Sequence, residues 1–472
     1  MNFSIGRITR GAGSIAALAG IGFCLSTSAV VGVIAAPQAP VSAAVVPTFS
    51  HDVAPILYAK CVSCHRPGEV APMSLISFKE VRPWAKSIRE KVATRVMPPW
   101  HADTRYGKFR NDLSLPQREI DTLIRWVDGG APEGNPAEMP KLPAFAEGWQ
   151  LGKPDQVFEM QTDYEIPARG TIDYQYFEVP TNFTEDRWMQ AGEVRPGDRA
   201  HVHHIIVYVR DPKPDTRPTV MSVRPILSAP QAPQDPQASQ APAAAQTPTT
   251  AAPREAPAAP RAQGRPPGGG DAMLVNWAVG EDAPVFLPGN AKRIPAGSTL
   301  IFQVHYTTNG TPGRDRSKLG LTLAKEPPAR EIRTGLISNP LFSIPSGAGN
   351  YEVEAEASFS EDVKVWSMHP HMHLRGKDMT FTATYPDGKQ QVLLSVPRFD
   401  FGWQTDYWLA EPLLLPKGSR LRVSAHFDNS AANKANPDPA ATVRWGDQTW
   451  EEMMIGFFTF SVESRPATPA QR

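Results

Sequence analysis

The sequence predicts a mostly β protein with a small helical region near its N-terminus. Short runs that alternate polar and apolar residues, typical of strands, recur between residues 150 and 460. The chain has 49 prolines and 35 glycines, which suit turn-rich β structure better than a helical bundle. Helical patterns are confined to the region before residue 130. The 472 residues leave room for about three domains.

The first 44 residues are typical of an export signal. Arg7 and Arg10 form a basic start, an apolar run follows, and Val41–Ala44 supplies small residues for cleavage. We therefore expect a periplasmic or secreted protein. The apolar stretch Ile15–Ala36 is long, so an uncleaved membrane anchor is an alternative, and only then would the membrane be a partner.

Charge and cysteine content exclude some classes of protein. There are 48 basic and 48 acidic residues, so the composition gives no sign of a nucleic-acid partner. After removal of the signal only Cys61 and Cys64 remain. An exported chain of this size without further disulfides must be held together by its hydrophobic cores.

Residues 48–140 form the first predicted domain, which contains CVSCH at Cys61–His65. This is the attachment signature of c-type haem, in which both thiols form thioethers and the histidine ligates the iron. A CxxC redox pair or half of a zinc site is the alternative. It lacks a second cysteine pair and leaves His65 unexplained. We therefore expect covalent haem bound by Cys61, Cys64 and His65.

Met97 is the preferred sixth ligand of that haem, because the two prolines of MPPW would stiffen the loop that carries its sulfur. Met73 and His101 are alternatives. The arrangement resembles a small class I cytochrome c domain. Its predicted helices span Ala54–Lys60, Phe78–Val96 and Leu115–Val127.

Residues 150–330 form the second predicted domain, a β unit with two histidine-bearing strands. In HVHHIIVYV, strand alternation pairs His201 with His203 and points His204 the other way. A bulge or twist is needed for His203 and His204 to share a metal. His305 lies in the middle of a further predicted strand, LIFQVHY.

Residues 224–270 interrupt this domain with a segment rich in alanine, proline, glutamine and threonine. It has 11 prolines and no aromatic residue, so it cannot bury a core. We expect a disordered insertion.

Residues 331–465 form the third predicted domain, a second β unit. On a strand, His371 and His373 lie on one face with Cα atoms about 6–7 Å apart, so both rings can reach one metal. The methionines of WEEMM, residues 450–454, offer a thioether that favours copper, particularly Cu(I). His426 is an alternative extra ligand, although we expect it to make a structural hydrogen bond.

Four motifs occur in a characteristic order: HH, then HYxxNG, then HxHLxG, then EM. Their order over residues 155–465 resembles the copper type II, ascorbate-dependent monooxygenases, such as peptidylglycine α-hydroxylating monooxygenase and dopamine β-monooxygenase. The resemblance implies two jelly-roll β-sandwiches that each hold one copper. It selects Met453, which directly follows an acidic residue, over Met454, and it overrules the alternation argument at His201. The implied ligands are His203, His204 and His305 for an electron-transfer copper, and the catalytic His371, His373 and Met453 for the copper where oxygen binds.

The resemblance implies an enzyme that hydroxylates a C–H bond of a small organic substrate with O2. Each copper supplies one electron. The electrons come from ascorbate or another donor, an electron-donor protein included, and we expect the fused haem to relay them.

The chain departs from the family pattern at informative positions. His369 stands where peptide-amidating members carry an arginine that binds the substrate carboxylate, and Phe457 replaces a family tyrosine. The β domains also lack the family's disulfides. We therefore do not expect a glycine-extended peptide as the substrate.

Two alternative functions remain. The chain could use the same ligands as a copper- and haem-binding electron carrier or store without oxygenase activity, which a test for product formation distinguishes. The β domains could instead only cap a cytochrome, which the copper stoichiometry decides.

Overall fold

The computed structural model describes residues 45–67, 69, 71–145, 148–213, 219–227, 264–266, 271–280 and 283–463. Strands predominate over helices, so the prediction of a mostly β protein is confirmed. The expected export signal, residues 1–44, lies outside the described residues. Within them, every helix is too short or too polar to span a membrane.

The helices lie in the N-terminal region, and their bounds follow the local chemistry. The first predicted helix is confirmed at both ends. The second is interrupted by the turn Arg82–Trp84, which contains Pro83, and the third begins directly after Pro116. The elements are a π-helical turn at Phe49–Val53, α1 at Ala54–Lys60, α2 at Phe78–Val81, a 3-10 turn at Arg82–Trp84, α3 at Ala85–Ala93, α4 at Gln117–Asp128 and a 3-10 turn at Pro136–Glu138.

The rest of the described chain is built from short strands. They are β1 Gln156–Glu159, β2 Tyr164–Ile166, β3 Gln175–Pro180, β4 Arg187–Arg195, β5 Val202–Arg210, β6 Met221–Ile226, β7 Ala272–Ala278, β8 Asn290–Ile294, β9 Thr299–Tyr306, β10 Gly313–Asp315, β11 Lys318–Leu323, β12 Arg330–Ser338, β13 Ser343–Ile344, β14 Tyr351–Phe359, β15 Val363–His371, β16 Gly376–Thr384, β17 Gln390–Val396, β18 Tyr407–Leu415, β19 Arg420–Phe427, β20 Val443–Arg444 and β21 Ile455–Val462.

Three larger sheets organise these strands. An eight-stranded sheet has the order β1-β11-β4-β8-β12-β21-β15-β18, a five-stranded sheet β17-β16-β19-β14-β6, and a four-stranded sheet β3-β9-β5-β7. The second and third predicted domains, residues 150–330 and 331–465, are called here the first and second β halves. The parallel pair β8–β12 joins the two halves within one sheet, while the other pairings of that sheet are antiparallel. The two halves therefore share backbone hydrogen bonds.

Strand β6 corrects the expected start of the proline-rich insertion. Arg224, Pro225 and Ile226 belong to this strand, which pairs with β14 at the edge of the five-stranded sheet. An edge position accommodates Pro225, which has no backbone N–H to donate. The segment without a described strand therefore begins after Ile226 rather than at residue 224. Most of the expected insertion lies outside the described residues.

Buried apolar side chains form three cores. The first is built around Trp126, Phe49 and Leu57 of the helical region. The second fills the half that contains β5 and β9, and the third fills the half that contains β15 and β21. Trp100, which follows the helical segment α3, belongs to the third core.

The helical region docks on the second β half through backbone pairing. Phe109 forms an antiparallel bridge with Leu409 of edge strand β18. The Arg110 N–H donates to the Trp408 carbonyl at 2.9 Å, and the rings of Trp100 and Tyr407 lie 4.9 Å apart. The helical region therefore has a fixed position on the second β half and is not connected to it only by a flexible linker.

Candidate metal centres and the cysteine-lined cavity

Three of the predicted ligands meet at one point. His204 on β5 lies directly opposite His305 on β9, and the register shifts between Val202 and His204. This irregularity is the bulge that the sequence required, and it turns His203 toward its neighbour. The Nδ1 atoms of His203 and His204 lie 3.0 Å apart, and ligand atoms of all three residues lie within 4.8 Å of one another. Two ligands at about 2 Å from one metal would have a similar separation.

His201 takes no part in this group. Its Nδ1 lies 2.7 Å from the Asp198 carboxylate, and its Nε2 lies 3.1 Å from the Thr311 carbonyl oxygen. Strand alternation alone would have selected His201 as the residue that shares a metal with His203. The choice of His203 with His204 agrees with the geometry.

The three imidazoles are uncharged at neutral pH and thus ready to ligate. Burial lowers the pKa of His203, and it lowers that of His204 well below its usual value. Burial and the neighbouring His203 lower the pKa of His305 to about 3. The Nδ1 of His305 is buried and makes no hydrogen bond to any described residue. A buried ring nitrogen without a partner suits a metal ligand.

His371 and His373 form a second group, with ring centroids 5.4 Å apart. The Nδ1 of His371 faces the Gln404 side-chain oxygen at 2.5 Å, and the Nδ1 of His373 faces the Glu451 carbonyl at 3.2 Å. Each Nδ1–H therefore donates, and each Nε2 is left for a metal. The Nε2 of His373 is buried without a hydrogen bond to the described residues. Burial lowers the pKa of His371 to about 3 and that of His373 to about 4.

The Glu452 side chain ties the methionine loop to this group. One carboxylate oxygen accepts from the His373 N–H at 2.8 Å, and the other accepts from the Arg375 N–H at 2.6 Å. The next residue, Met453, is half-buried, whereas Met454 is fully buried in the third core. Met454 is therefore used for packing, and Met453 is the thioether that remains for a metal.

Phe401 lies between the two histidine groups. Its ring stacks on His203 at 5.2 Å, with an interplanar angle of 15°. The same ring meets His373 edge-on at 6.2 Å. The groups are thus neighbours separated by one phenyl ring, an arrangement that suits two mononuclear sites.

A cavity of about 20 Å³ lies beside both groups, with His204, His369 and His371 in its wall. This volume fits a single water or O2 rather than an organic molecule. The Nδ1 of His369 lies 3.2 Å from an Asp406 carboxylate oxygen, and the Phe457 ring centroid lies 6.0 Å from that of His371. The two departures from the family pattern therefore both lie beside His371.

His426 is not part of either group. Its Nδ1 bonds the Asp378 carboxylate at 2.7 Å, which raises the pKa of His426. The expectation of a structural hydrogen bond is confirmed.

A separate cavity of about 320 Å³ has Cys61, Cys64 and His65 in its wall. Its lining is mainly apolar and its size is that of cofactor pockets. Burial raises the pKa of the Cys61 thiol to about 12, so this wall carries a neutral thiol. The Nδ1 of His65 donates to the Met73 carbonyl at 3.3 Å, which leaves its Nε2 for a ligand.

The alternatives for the sixth haem ligand divide between two cavities. Met97 and Met73 both line the cysteine-lined cavity, and the Met73 carbonyl is bonded to His65. His101 lines only a neighbouring cavity, which Met97 also borders. Both methionines therefore stay candidates by position, whereas His101 does not line the wall that carries Cys61, Cys64 and His65.

Comparison with known proteins does not assign the chain to a family. No protein-family model and no curated protein matches it. Allantoicase from Saccharomyces cerevisiae is a structural neighbour at 6% identity, over 62% of this chain and 80% of that chain, with a TM-score of 0.17. The VP2 subviral particle of infectious bursal disease virus is another, at 9% identity, over 68% and 77%, with a TM-score of 0.14. Such low TM-scores carry no argument about fold or function.

Several residues around the groups were not found from the sequence. Phe401, Gln404 and Glu452 have no motif spacing of their own, and Tyr174, 5.0 Å from the His305 ring, lies in an ordinary alternating run. The only available signal was local: Glu452 precedes the chosen methionine.

The buried imidazoles predict a pH-dependent stability of the metal-free protein. Their folded pKa values lie below the unfolded value of about 6.5, so the unfolded chain binds more protons below that pH. The free energy of unfolding should fall as the pH drops from 6.5 toward 3, by up to about 1.4 kcal/mol per unit for each imidazole. Urea unfolding of chelator-treated protein between about pH 7 and pH 5 measures this slope.

His305→Gln should flatten that slope. His426→Gln is the matched control and should not flatten it, because the raised pKa of His426 acts in the opposite sense. A free energy of unfolding that is the same across this pH range would contradict the burial of neutral imidazoles.

Proposed function

We propose that this chain is a copper-dependent monooxygenase that hydroxylates a C–H bond of a small organic substrate with O2. The observation that carries the proposal is the close placement of two groups of buried histidines, the second of which is bonded through Glu452 to the loop that carries Met453. Imidazole and thioether donors suit copper, and Cu(I) in particular. The order of the four motifs supports the same family, with two jelly-roll sandwiches as its fold.

Copper held by these residues would accept single electrons and react with O2. His203, His204 and His305 would hold one ion, and His371, His373 and Met453 the other. Gln404 and the Glu451 carbonyl orient the second pair of rings, and Glu452 fixes the distance between the two loops. The overall reaction takes R–H, O2, two electrons and two protons to R–OH and water.

The residue at position 369 supports a substrate without a carboxylate. His369 stands where peptide-amidating members carry the arginine that binds the substrate carboxylate. Its Nδ1 lies 3.2 Å from the Asp406 carboxylate, which would repel a second carboxylate.

We further propose that the helical region is a c-type cytochrome domain that delivers the electrons. Cys61 and Cys64 would hold haem covalently, and His65 and Met97 would ligate its iron. Such haem exchanges one electron at a time, as a mononuclear copper requires. Ascorbate or an electron-donor protein of the exported compartment would reduce it.

The central test is a screen of small organic substrates with reduced, copper-loaded protein under ¹⁸O2. One ¹⁸O atom should appear in the hydroxylated product. Full loading with haem and copper but no labelled product from any substrate would favour the alternative, an electron-transfer protein.

Covalent haem is a direct expectation of the cysteine-lined cavity. Haem absorbance should stay with the denatured chain through gel electrophoresis, and Cys61→Ala/Cys64→Ala should abolish it because no thioether can form. Haem that extracts from the wild-type chain into acidic organic solvent would overturn the assignment.

The sixth ligand is tested by optical spectroscopy. Met97→Ala should abolish the sulfur-to-iron band at the red end of the oxidised spectrum. Met73→Ala is the matched control and should retain it. Loss of the band in Met73→Ala but not in Met97→Ala would show that Met73 is the sixth ligand.

The two coppers should be separable. His371→Ala or Met453→Ala should halve the copper content and eliminate hydroxylation, while His204→Ala should empty the other site. Metal analysis with EPR measures both occupancies. His201→Ala, whose imidazole bonds Asp198 instead, should keep both ions. Loss of both metals from one ligand change in a folded protein would show that the coppers share a site.

A further inference from the structure

One side chain of the second β half reaches the cysteine-lined cavity. Trp403 lies in the loop before β18, yet it lines this cavity together with Val279 and Gly280. The remaining described residues of the wall come from the helical region, up to Leu113. Trp403 is thus a point where the β structure closes the cavity.

The loop that carries Trp403 is held by its own hydrogen bonds. The Trp403 N–H donates to the Asp400 carbonyl at 2.9 Å, and the Gly402 N–H to the Asp400 side chain at 2.8 Å. Gly280, at a φ of +87°, lets the indole approach closely, because a Cβ there would lie 3.3 Å from its Cζ3. The position of the indole is therefore fixed by the hydrogen bonds of its own loop and by its close contact with Gly280.

The residues that flank Trp403 contact both histidine groups. Gln404 follows directly and accepts from His371, while its amide nitrogen donates to the Phe401 carbonyl at 3.3 Å. This second bond fixes which end of the amide faces His371. Phe401, two residues before Trp403, stacks on His203. Four consecutive residues thus connect the cavity wall with both groups.

We propose that residues 401–404 form the electron junction between the haem cavity and the two copper groups. The inference rests on the proposed function for the presence of both cofactors. One electron leaves ferrous haem, which becomes ferric, and reduces one Cu(II) to Cu(I), with no proton transferred. Trp403 provides the contact on the cavity side. The peptide bond to Gln404 and its hydrogen bond lead to His371, and the Phe401 ring leads to His203.

A continuous path of this kind matters because electronic coupling falls more steeply across gaps than along covalent and hydrogen bonds. The backbone pairing of Phe109 with Leu409 keeps the two ends of the path in place. Trp403 is accordingly a positioning and coupling residue rather than a ligand.

The test measures electron transfer without O2 or substrate. Haem in the full-length, copper-loaded protein is reduced by a flash-excited flavin, and its reoxidation by Cu(II) is followed in the visible spectrum. Trp403→Ala should slow this reoxidation severalfold, while Trp403→Phe, which keeps an aromatic ring, should retain most of the rate. Trp84→Ala is the matched control, since Trp84 is exposed in the helical region and outside the cavity wall.

Two further readouts separate a coupling role from a structural one. Copper content and copper EPR of Trp403→Ala should match those of the wild type, and redox titration of its haem gives the potential with which the rate is corrected for any change in driving force. Gln404→Ala should alter the EPR signal of the His371 site and lower its copper affinity by about 10-fold to 100-fold, as loss of an orienting partner does.

The possible results distinguish failure of the electron-junction proposal from failure of the monooxygenase proposal. Slow reoxidation in Trp403→Ala with intact cofactors supports the junction even if no substrate is ever hydroxylated. Wild-type reoxidation that is unchanged in Trp403→Ala overturns the junction and leaves the monooxygenase proposal standing. Wild-type haem that is not reoxidised by bound Cu(II) also overturns it.

Discussion

The burial of several imidazoles without a counter-charge is the constraint on which the rest of this structure depends. His204, His305 and His371 lie together in the interior, where a positive charge on any of them would be strongly disfavoured. The hydrogen-bond partners of these rings are neutral: the Gln404 amide for His371 and the Glu451 carbonyl for His373. These partners bind one ring nitrogen and leave the other as a lone-pair donor.

The histidines outside the two groups show the opposite arrangement. The Nδ1 of His201 and that of His426 each contact an aspartate, and the Nε2 atoms face the Thr311 carbonyl and the Glu352 carboxylate. At His426 the aspartate raises the pKa, whereas the pKa values of His371 and His373, with their amide and carbonyl partners, are lowered. The type of partner, rather than burial alone, therefore separates the candidate ligands from the structural histidines.

The sequence predicted the parts that depend on local pattern. The helix at Ala54–Lys60, the β character of the remainder and the need for a bulge at His203 all follow from spacing and side-chain periodicity. It could not predict partners that are fixed by long-range packing. Gln404 reaches His371 from a loop 33 residues away, and β6 pairs with β14 across the proline-rich segment. A strand pattern does not specify which sheet the strand joins, and a loop glutamine carries no sign of its partner.

The fixed docking of the helical region changes which step would limit the rate of the proposed electron transfer between the cavity and the histidine groups. In a chain of tethered domains, the rate depends on how often the domains meet, and linker length sets that frequency. Here Trp100 is part of the core of the second β half, and Phe109 extends its edge strand. The separation between cavity and ligands is therefore constant, and the encounter step is absent. In the proposed electron transfer, the residues that fill the intervening space would decide how well the two ends are coupled, and the short loop 401–404 would have more influence than any linker.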